Sequence, residues 1–394
     1  MKGLYVVAGV TMAGVSAVFV LLAELEDRYG LSKGGLGLIA GSAFAAALVT
    51  QLGLSRYADR GYGLLLLRVG VLMAAVGLLW FAAATELWQF VAARAVLGAS
   101  VGLIVPAARR AIVLSSDGDM GERLGVFYAS YLAGFVFGPP IAGALTVLAD
   151  VRLPFVVLGA AVAASSLALR DVVVDAPGSR GAPVALADRR VLRRLVTSRR
   201  LIAALLVVVS FRYSVGVFEP LWATYLDDLG AGTMVVTISL TMFALPMLVI
   251  ARWAGRLSDT YGPRLTSVLS AAATVPLMAS YGYVGALPVV MAMAIPHGIG
   301  EAIQSPGTQA AVADAAPQRD AAAAQGLAEA AGSAAAAIGA FTAAPLFDRL
   351  GAGPAWLIAG ATMAVLLTAS TLLDRPRRRP VAVPVETTPA VTLP

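Results

Sequence analysis

The chain has 394 residues, of which 59% are hydrophobic and 13% charged, and its mean hydropathy is +0.82. A soluble domain carries about 25% charged residues, so this chain lacks the polar groups to cover a water-facing surface, and a lipid bilayer is its natural solvent. The net charge of +6 comes from arginines set between apolar runs rather than from a basic stretch interleaved with aromatics, so nucleic acid is not an expected partner.

In lipid every backbone group must be satisfied internally, which leaves helices or closed barrels. The apolar runs are long and continuous, so helices are expected. Twelve runs are long enough to span, at 4–25, 34–55, 62–84, 88–108, 125–148, 153–170, 201–226, 233–254, 264–284, 286–311, 322–346 and 354–373. The N-terminus lacks a small-x-small cleavage site, so the first run reads as a retained helix. Residues 171–200 are rich in Asp, Pro, Gly and Arg and read as a linker whose second part forms an amphipathic surface helix. The predicted fold is all-α and integral to the membrane. A six-helix bundle (1–170) is followed by a cytoplasmic linker (171–200), a second six-helix bundle (201–374) and a disordered cytoplasmic tail (375–394).

Placing the N-terminus inside puts Lys2, Arg56, Arg60, Arg68, Arg109, Arg110, Arg123, Arg252, Arg256, Arg264, Arg319, the arginines from Arg170 to Arg200 and those of the tail on one side. The other side then holds only Arg28, Lys33, Arg152 and Arg349. Positive charge stays inside, so both termini are expected to be cytoplasmic, in the inner (cytoplasmic) cell membrane.

The halves read as parallel repeats. Gly30 and Gly230, Asp59 and Asp259, Gly98 and Gly298, and Pro106 and Pro306 are each 200 residues apart, in register with the hydropathy.

Three stretches carry a resemblance. Gly255-Arg256-Leu257-Ser258-Asp259-Thr260-Tyr261-Gly262-Pro263-Arg264 is a charged turn between two apolar runs, and a looser copy runs from Ser55 through Asp59 and Arg60 to Gly63. Arg94-Ala95-Val96-Leu97-Gly98 lies in the fourth run. Gly134-Phe135-Val136-Phe137-Gly138-Pro139-Pro140-Ile141-Ala142-Gly143 lies in the fifth. The first resembles the loop motif G-x-L-(small)-D-x-x-G-x-R of the major facilitator superfamily, the second its R-x-x-x-G motif, and the third its G-x-x-x-G-P-x-x-G-G motif. The N-half copy of the loop departs from the pattern at Ser55 and Tyr62, and Ala142 replaces a Gly in the third.

The resemblance implies a secondary transporter working by alternating access. The loop carboxylates and arginines (Asp59, Arg60, Gly255, Asp259, Gly262, Arg264) would latch one conformation. Arg94 would assist proton transfer; the bland alternative is that it snorkels to the interface. Gly134, Gly138, Pro139 and Gly143 would mark a close-packed, bent helix, and in the family this motif accompanies drug:proton antiport, hence export. Helices one, four, seven and ten would line a central cavity.

Deep ionisable residues fall on three of those helices: Arg94 on the fourth, Arg212 and Glu219 on the seventh, and His297 and Glu301 on the tenth, with none deep in the other eight. Such residues are costly in lipid and mark function. His297, Glu301, Gln304 and Ser305 form a polar stripe one turn apart. Glu301, in apolar surroundings, is the expected proton site, with His297, Arg94, Glu219 and Arg212 as coupling partners. The alternative is a satisfied structural network, for instance a Glu301–Arg212 pair. Glu24 and Glu26 read as an outer rim. Gln304, Ser305, Tyr131, Tyr213 and Trp222 are candidate substrate-cavity residues, the aromatics offering faces to an apolar or cationic compound.

Other chemistry is absent from the sequence. There is no Gly-x-x-x-x-Gly-Lys phosphate loop and no nucleophile-base-acid set. No cysteine and one histidine exclude disulfides and a usual zinc site. The expectation is therefore a non-enzymatic, monomeric, proton-gradient-driven exporter of small hydrophobic or cationic compounds, without cofactor or metal. The alternatives are transport of a metabolite (sugar, amino acid or organic acid) and a transport-inactive receptor or scaffold.

Overall fold

A computed structural model describes residues 2–57, 61–114, 120–170, 172, 189–317 and 320–374. The described residues form helices α1 (Lys2–Tyr29), α2 (Lys33–Tyr57), α3 (Gly63–Ala83), α4 (Leu87–Leu114), α5 (Met120–Leu148), α6 (Leu153–Ser165), α7 (Arg189–Thr197), α8 (Arg199–Asp228), α9 (Thr233–Val249), α10 (Ala251–Tyr261), α11 (Pro263–Ser280), α12 (Leu287–Ala315), α13 (Ala321–Leu350) and α14 (Ala352–Leu373). Short 3-10 turns, Ser166–Leu169 and Tyr281–Tyr283, follow α6 and α11.

Nine helices among the described residues are long and apolar enough to cross a membrane, or ten if α9 and α10, bent by 58°, make one span. Twelve crossings also require the shorter apolar stretch Leu153–Leu169 and α12. Helix α12 has the length, but its polar stripe lowers its hydropathy.

The sequence expectation needs one correction here. The stretch Gly255–Tyr261 is helix, not turn, because it holds no breaker other than Gly255, and the Thr260 hydroxyl bonds back to Arg256 O at 2.8 Å. The reversal is confined to Gly262, whose φ of +89° is a left-handed conformation suited to glycine.

The 200-residue offset extends to backbone geometry. Gly30 (φ +63°) ends α1 with Leu31 N–H donating to Glu26 O at 3.3 Å. Gly230 (φ +82°) ends α8 with Ala231 N–H donating to Leu226 O at 3.0 Å. Each is the six-to-one closure of a glycine-terminated helix. A Cβ on Gly98 would lie 2.1 Å from Ala43 O, and one on Gly298 would lie 2.2 Å from Phe243 O. The contact partners are themselves 200 residues apart, so the same helix crossing is built twice.

Helix α7 is the amphipathic helix expected in the second part of the linker. It buries Leu195 against Leu201, Ala311, Val312, Ala324 and Ala328, and Arg194 pairs with Asp320 at 3.3 Å. The rest of the linker, 173–188, and the tail from 375 lie outside the described residues.

Candidate functional site

The deepest charge is Arg94, 1% exposed in the second turn of α4. Its guanidinium donates to Val15 O of α1 at 2.9 Å, pairs with Glu219 of α8, and lies 5.6 Å from the Phe19 ring. Arg94 therefore does not snorkel: it turns inward and joins three helices across the two halves. Desolvating both charges is costly, and only close pairing with further hydrogen bonds repays it. One oxygen of Glu219 (Oε2) and Nε of Arg94 still lack partners.

A second polar chain lies within the C-terminal half. The Ser214 hydroxyl donates to Glu301 Oε1 at 3.0 Å. Nε2 of His297 faces the same oxygen at 3.7 Å, beyond hydrogen-bond reach. Nδ1 of His297 is 3.0 Å from the Tyr281 hydroxyl, and the two rings stack at 5.6 Å. Phe218 and Phe243 present ring edges to His297, each at 5.3 Å. The sequence had no signal for Tyr281: it sits in the short turn after α11, where a tyrosine reads as an interface residue.

The candidate cavity residues separate. Trp222 is buried in the aromatic cluster with Phe218, Tyr281 and Trp356, and its Nε1–H donates to Ser239 Oγ at 2.9 Å. Tyr213 is also buried, its carbonyl packed where a Cβ on Gly339 would come within 2.7 Å. Both are core residues here, because α8 turns that face towards α9, α13 and α14. Gln304 is fully buried with neither amide atom bonded, as is the Ser210 hydroxyl. Ser305 is half-buried and accepts from Thr308 Oγ1 at 2.8 Å. Only Tyr131 keeps a half-buried position near an ionised group, Arg212.

Arg212 is half-buried in the middle of α8. The Phe44 ring of α2 lies 5.9 Å from its guanidinium carbon, and a Cβ on Gly332 of α13 would come within 2.8 Å of its Cγ. It does not pair with Glu301. A carboxylate that the sequence reading passed over, Glu329, lies about two turns into α13 and takes Arg109 of α4 at 3.4 Å. Arg109 also covers the Tyr128 ring at 5.0 Å. Glu329 lies near the start of α13 and is partly exposed, so it is not a deep charge.

At the end away from the chain termini, contacts cross between the halves. Lys33 pairs with Asp228 at 2.5 Å and lies 4.4 Å from the Phe347 ring. Gly34 N–H donates to Asp348 Oδ2 at 2.8 Å, and Thr233 Oγ1 donates to Glu24. The helix-five motif takes part. A Cβ on Gly134 would lie 1.9 Å from Gly9 O, and one on Gly138 would lie 2.1 Å from Ser16 Oγ, so both press α5 on α1. A Cβ on Gly143 would lie 2.2 Å from Thr237 Oγ1, so this glycine presses α5 on α9 of the other half. Pro139 lies inside α5, which is continuous as Met120–Leu148.

At the termini end the contacts between halves are longer, with Arg109 and Glu329 3.4 Å apart against 2.5 Å for Lys33 and Asp228. Arg109 and Glu329 are 31% and 38% exposed, and Ser333 Oγ is 3.3 Å from Gln51 Oε1. Arg264 of the loop motif pairs with Asp374 and donates to Ser370 O at 2.9 Å, within its own half. It borders a cleft of about 350 Å³ with Arg200, Ala204, Ala311 and Asp314. Asp259 is exposed and makes no bond among the described residues, and Gly255 has open space around its Cα. Asp59 and Arg60 lie outside the described residues. No group of three or more metal-ligating side chains occurs among the described residues.

These features define a multi-pass membrane protein with ionised groups buried between two helical bundles. The sequence profile described as Major Facilitator Superfamily matches residues 4–221 and 204–394. The chain belongs to that family and is a transporter, not an enzyme. No curated protein sequence matches it. Among solved structures, the nucleoside transporter NupG superposes with a TM-score of 0.77 at 12% identity, covering 95% of this chain and 99% of that one. A bacterial homolog to the human lysosomal transporter Spinster, inward-facing and unoccupied, gives 0.73 at 14% identity, covering 94% of each chain. A POT family transporter in complex with 5-aminolevulinic acid gives 0.73 at 14%, covering 95% and 96%. At these identities the likeness is one of fold alone.

Proposed function

We propose that this transporter moves a small molecule by rocking 1–170 against 201–374, driven by protons exchanged at Glu301. The observation that carries this reading is the buried contact of Glu301 with Ser214, with His297 beside it and Tyr281 behind. A carboxylate buried among apolar neighbours, with an imidazole nitrogen 3.7 Å away, is a chemically competent proton-binding group once the cycle opens it to water on either side. The closed far end and the looser termini end support an inward-facing state, if the termini are cytoplasmic as the arginine distribution implies.

Export of a drug-like compound is the direction we favour, on the Gly134–Gly143 motif. Gly143 sits where the halves must part on the far side. A deprotonated Glu301 would favour the loaded state, and protonation from outside would favour release. Tyr131, the one candidate cavity aromatic that stays half-buried, supports a substrate with an apolar body. A cationic substrate has less behind it, since among the described residues Glu219 is held by Arg94 and Glu301 by Ser214. The inner membrane as location, a monomeric state and the absence of any cofactor beyond the proton gradient belong to the same proposal.

The test is pH-gradient dissipation in everted vesicles across a panel of cationic, neutral and anionic substrates. Wild type should dissipate the gradient with at least one substrate, and Glu301→Gln should not. Unchanged proton dependence in Glu301→Gln would sink the reading.

A further inference from the structure

The charges inside the membrane can be matched one by one. Arg94 is taken by Glu219, Arg109 by Glu329, and Glu301 is held by Ser214 beside His297. Arg212 remains. Among the described residues it makes no hydrogen bond and no ion pair; its close neighbours are the Phe44 ring and the backbone at Gly332. Its charge reaches Tyr131 of α5 and, along its own helix, Glu219, which Arg94 already neutralises.

An arginine cannot lose its proton in a protein. An isolated one at mid-membrane is costly unless it faces water or a counter-charge. Arg212 is half-buried rather than sealed, and so are Phe44 of α2 and Tyr131 of α5, while Gly332 of α13, against which the Arg212 Cγ packs, is buried. With α8, which carries Arg212, two helices come from each half. Arg212 therefore lies where helices of both bundles meet, with its side chain only partly covered and its positive charge unpaired among the described residues.

We infer that Arg212 is the recognition site for an organic monoanion, a carboxylate seated on the guanidinium with its apolar body against Phe44 and Tyr131. A planar guanidinium receives a carboxylate through two parallel N–H donors. A single unpaired charge matches a carboxylate better than a phosphate monoester, which carries nearly two negative charges. The inference deepens the proposed transport reading and depends on it only for the meaning of the cavity, not for the proton site.

The experiment uses the purified full chain and four probes of similar size: benzoate, phenyl phosphate, benzamide and benzylamine. Ligand-induced shifts in thermal unfolding give binding, and pH-gradient dissipation in proteoliposomes gives coupling. Benzoate should stabilise the wild type more than the other three. Its affinity should fall at least tenfold in Arg212→Gln, as expected for losing a charge-assisted bond of about 1.5–3 kcal/mol, and Arg212→Lys should recover part of it. Glu301→Gln should still bind benzoate but no longer move protons with it. The anion site is overturned if benzoate does not bind, if benzylamine or phenyl phosphate binds better, or if Arg212→Gln keeps the wild-type affinity. If benzoate binding needs Arg212 while Glu301→Gln still moves protons as wild type does, the anion site stands and the proton reading falls.

Discussion

Arg94 of α4 and Glu219 of α8 form an ion pair that crosses from one bundle to the other with both side chains almost fully buried. The pair ties the halves in this conformation, and a rocking motion that opens the far end must break or re-form it. Removing one partner leaves the other charge buried, at a cost of about 3–5 kcal/mol. Glu219→Ala should therefore destabilise the purified protein strongly. Adding Arg94→Met should recover much of the loss, which a double-mutant cycle on thermal unfolding would read as coupling.

Lys33 and Asp228 close the far end from opposite halves. The chain has no cysteine, so Lys33→Cys with Asp228→Cys places a unique thiol pair there. A short bifunctional thiol crosslinker should join them and stop transport, and a cleavable one should restore it on reduction. Full activity of the crosslinked protein would mean that the far end does not open during the cycle.

Gly143 meets Thr237 across the halves with no room for a side chain. Gly143→Leu should hold α5 away from α9 and bias the protein towards an open far end. A cysteine at position 33 should then label faster with a membrane-impermeant maleimide, while Gly125→Ala, in open space on the same helix, should leave the labelling rate unchanged.

Asp150, between α5 and α6, pairs with Arg28 at the end of α1. Desolvation opposes ionisation there, but the Arg28 bond and charge, with help from the backbone at Val151 and Arg152, hold the carboxyl below its usual range. A depressed pKa contributes stability above the unfolded value of about 3.9 that is lost as pH falls through the folded value. The pair is partly exposed, so the effect is small. Asp150→Asn should lower the melting temperature slightly at pH 6, and the difference should shrink as pH falls below about 3.9 and vanish below the depressed folded value, as followed by thermal unfolding across that range.

Much of the architecture was legible in the residues. Continuous apolar runs dictate helices because lipid leaves the backbone no other partner. The 200-residue offset showed that one bundle was built twice, and Gly30, Gly230, Gly98 and Gly298 mark the same turns and crossings in three dimensions. The glycines of the fifth run lie where α5 meets α1 and α9. Glu329 and Tyr281 escaped notice, since a carboxylate near a helix start and a tyrosine in a turn carry no periodic signal. Trp222 and Tyr213 went the other way: helical spacing alone does not say which face of α8 meets the core.

The sequence by itself determined the class of molecule, its helices, its repeat and the set of residues that bear charge inside the membrane, because these follow from local composition and period. Which charge meets which was decided only by the tertiary structure. Arg94, Arg212, Glu219 and Glu301 sum to nearly nothing on paper. Folding pairs Arg94 with Glu219 across the halves, sets Glu301 beside Ser214 and His297 within one half, and leaves Arg212 alone near the middle. The physical reason is range: in a low-dielectric interior only contact within a few ångströms repays desolvation, and contacts between helices, such as Arg94 with Glu219, 125 positions on, or Ser214 with Glu301, 87 positions on, are set by how the helices and bundles dock.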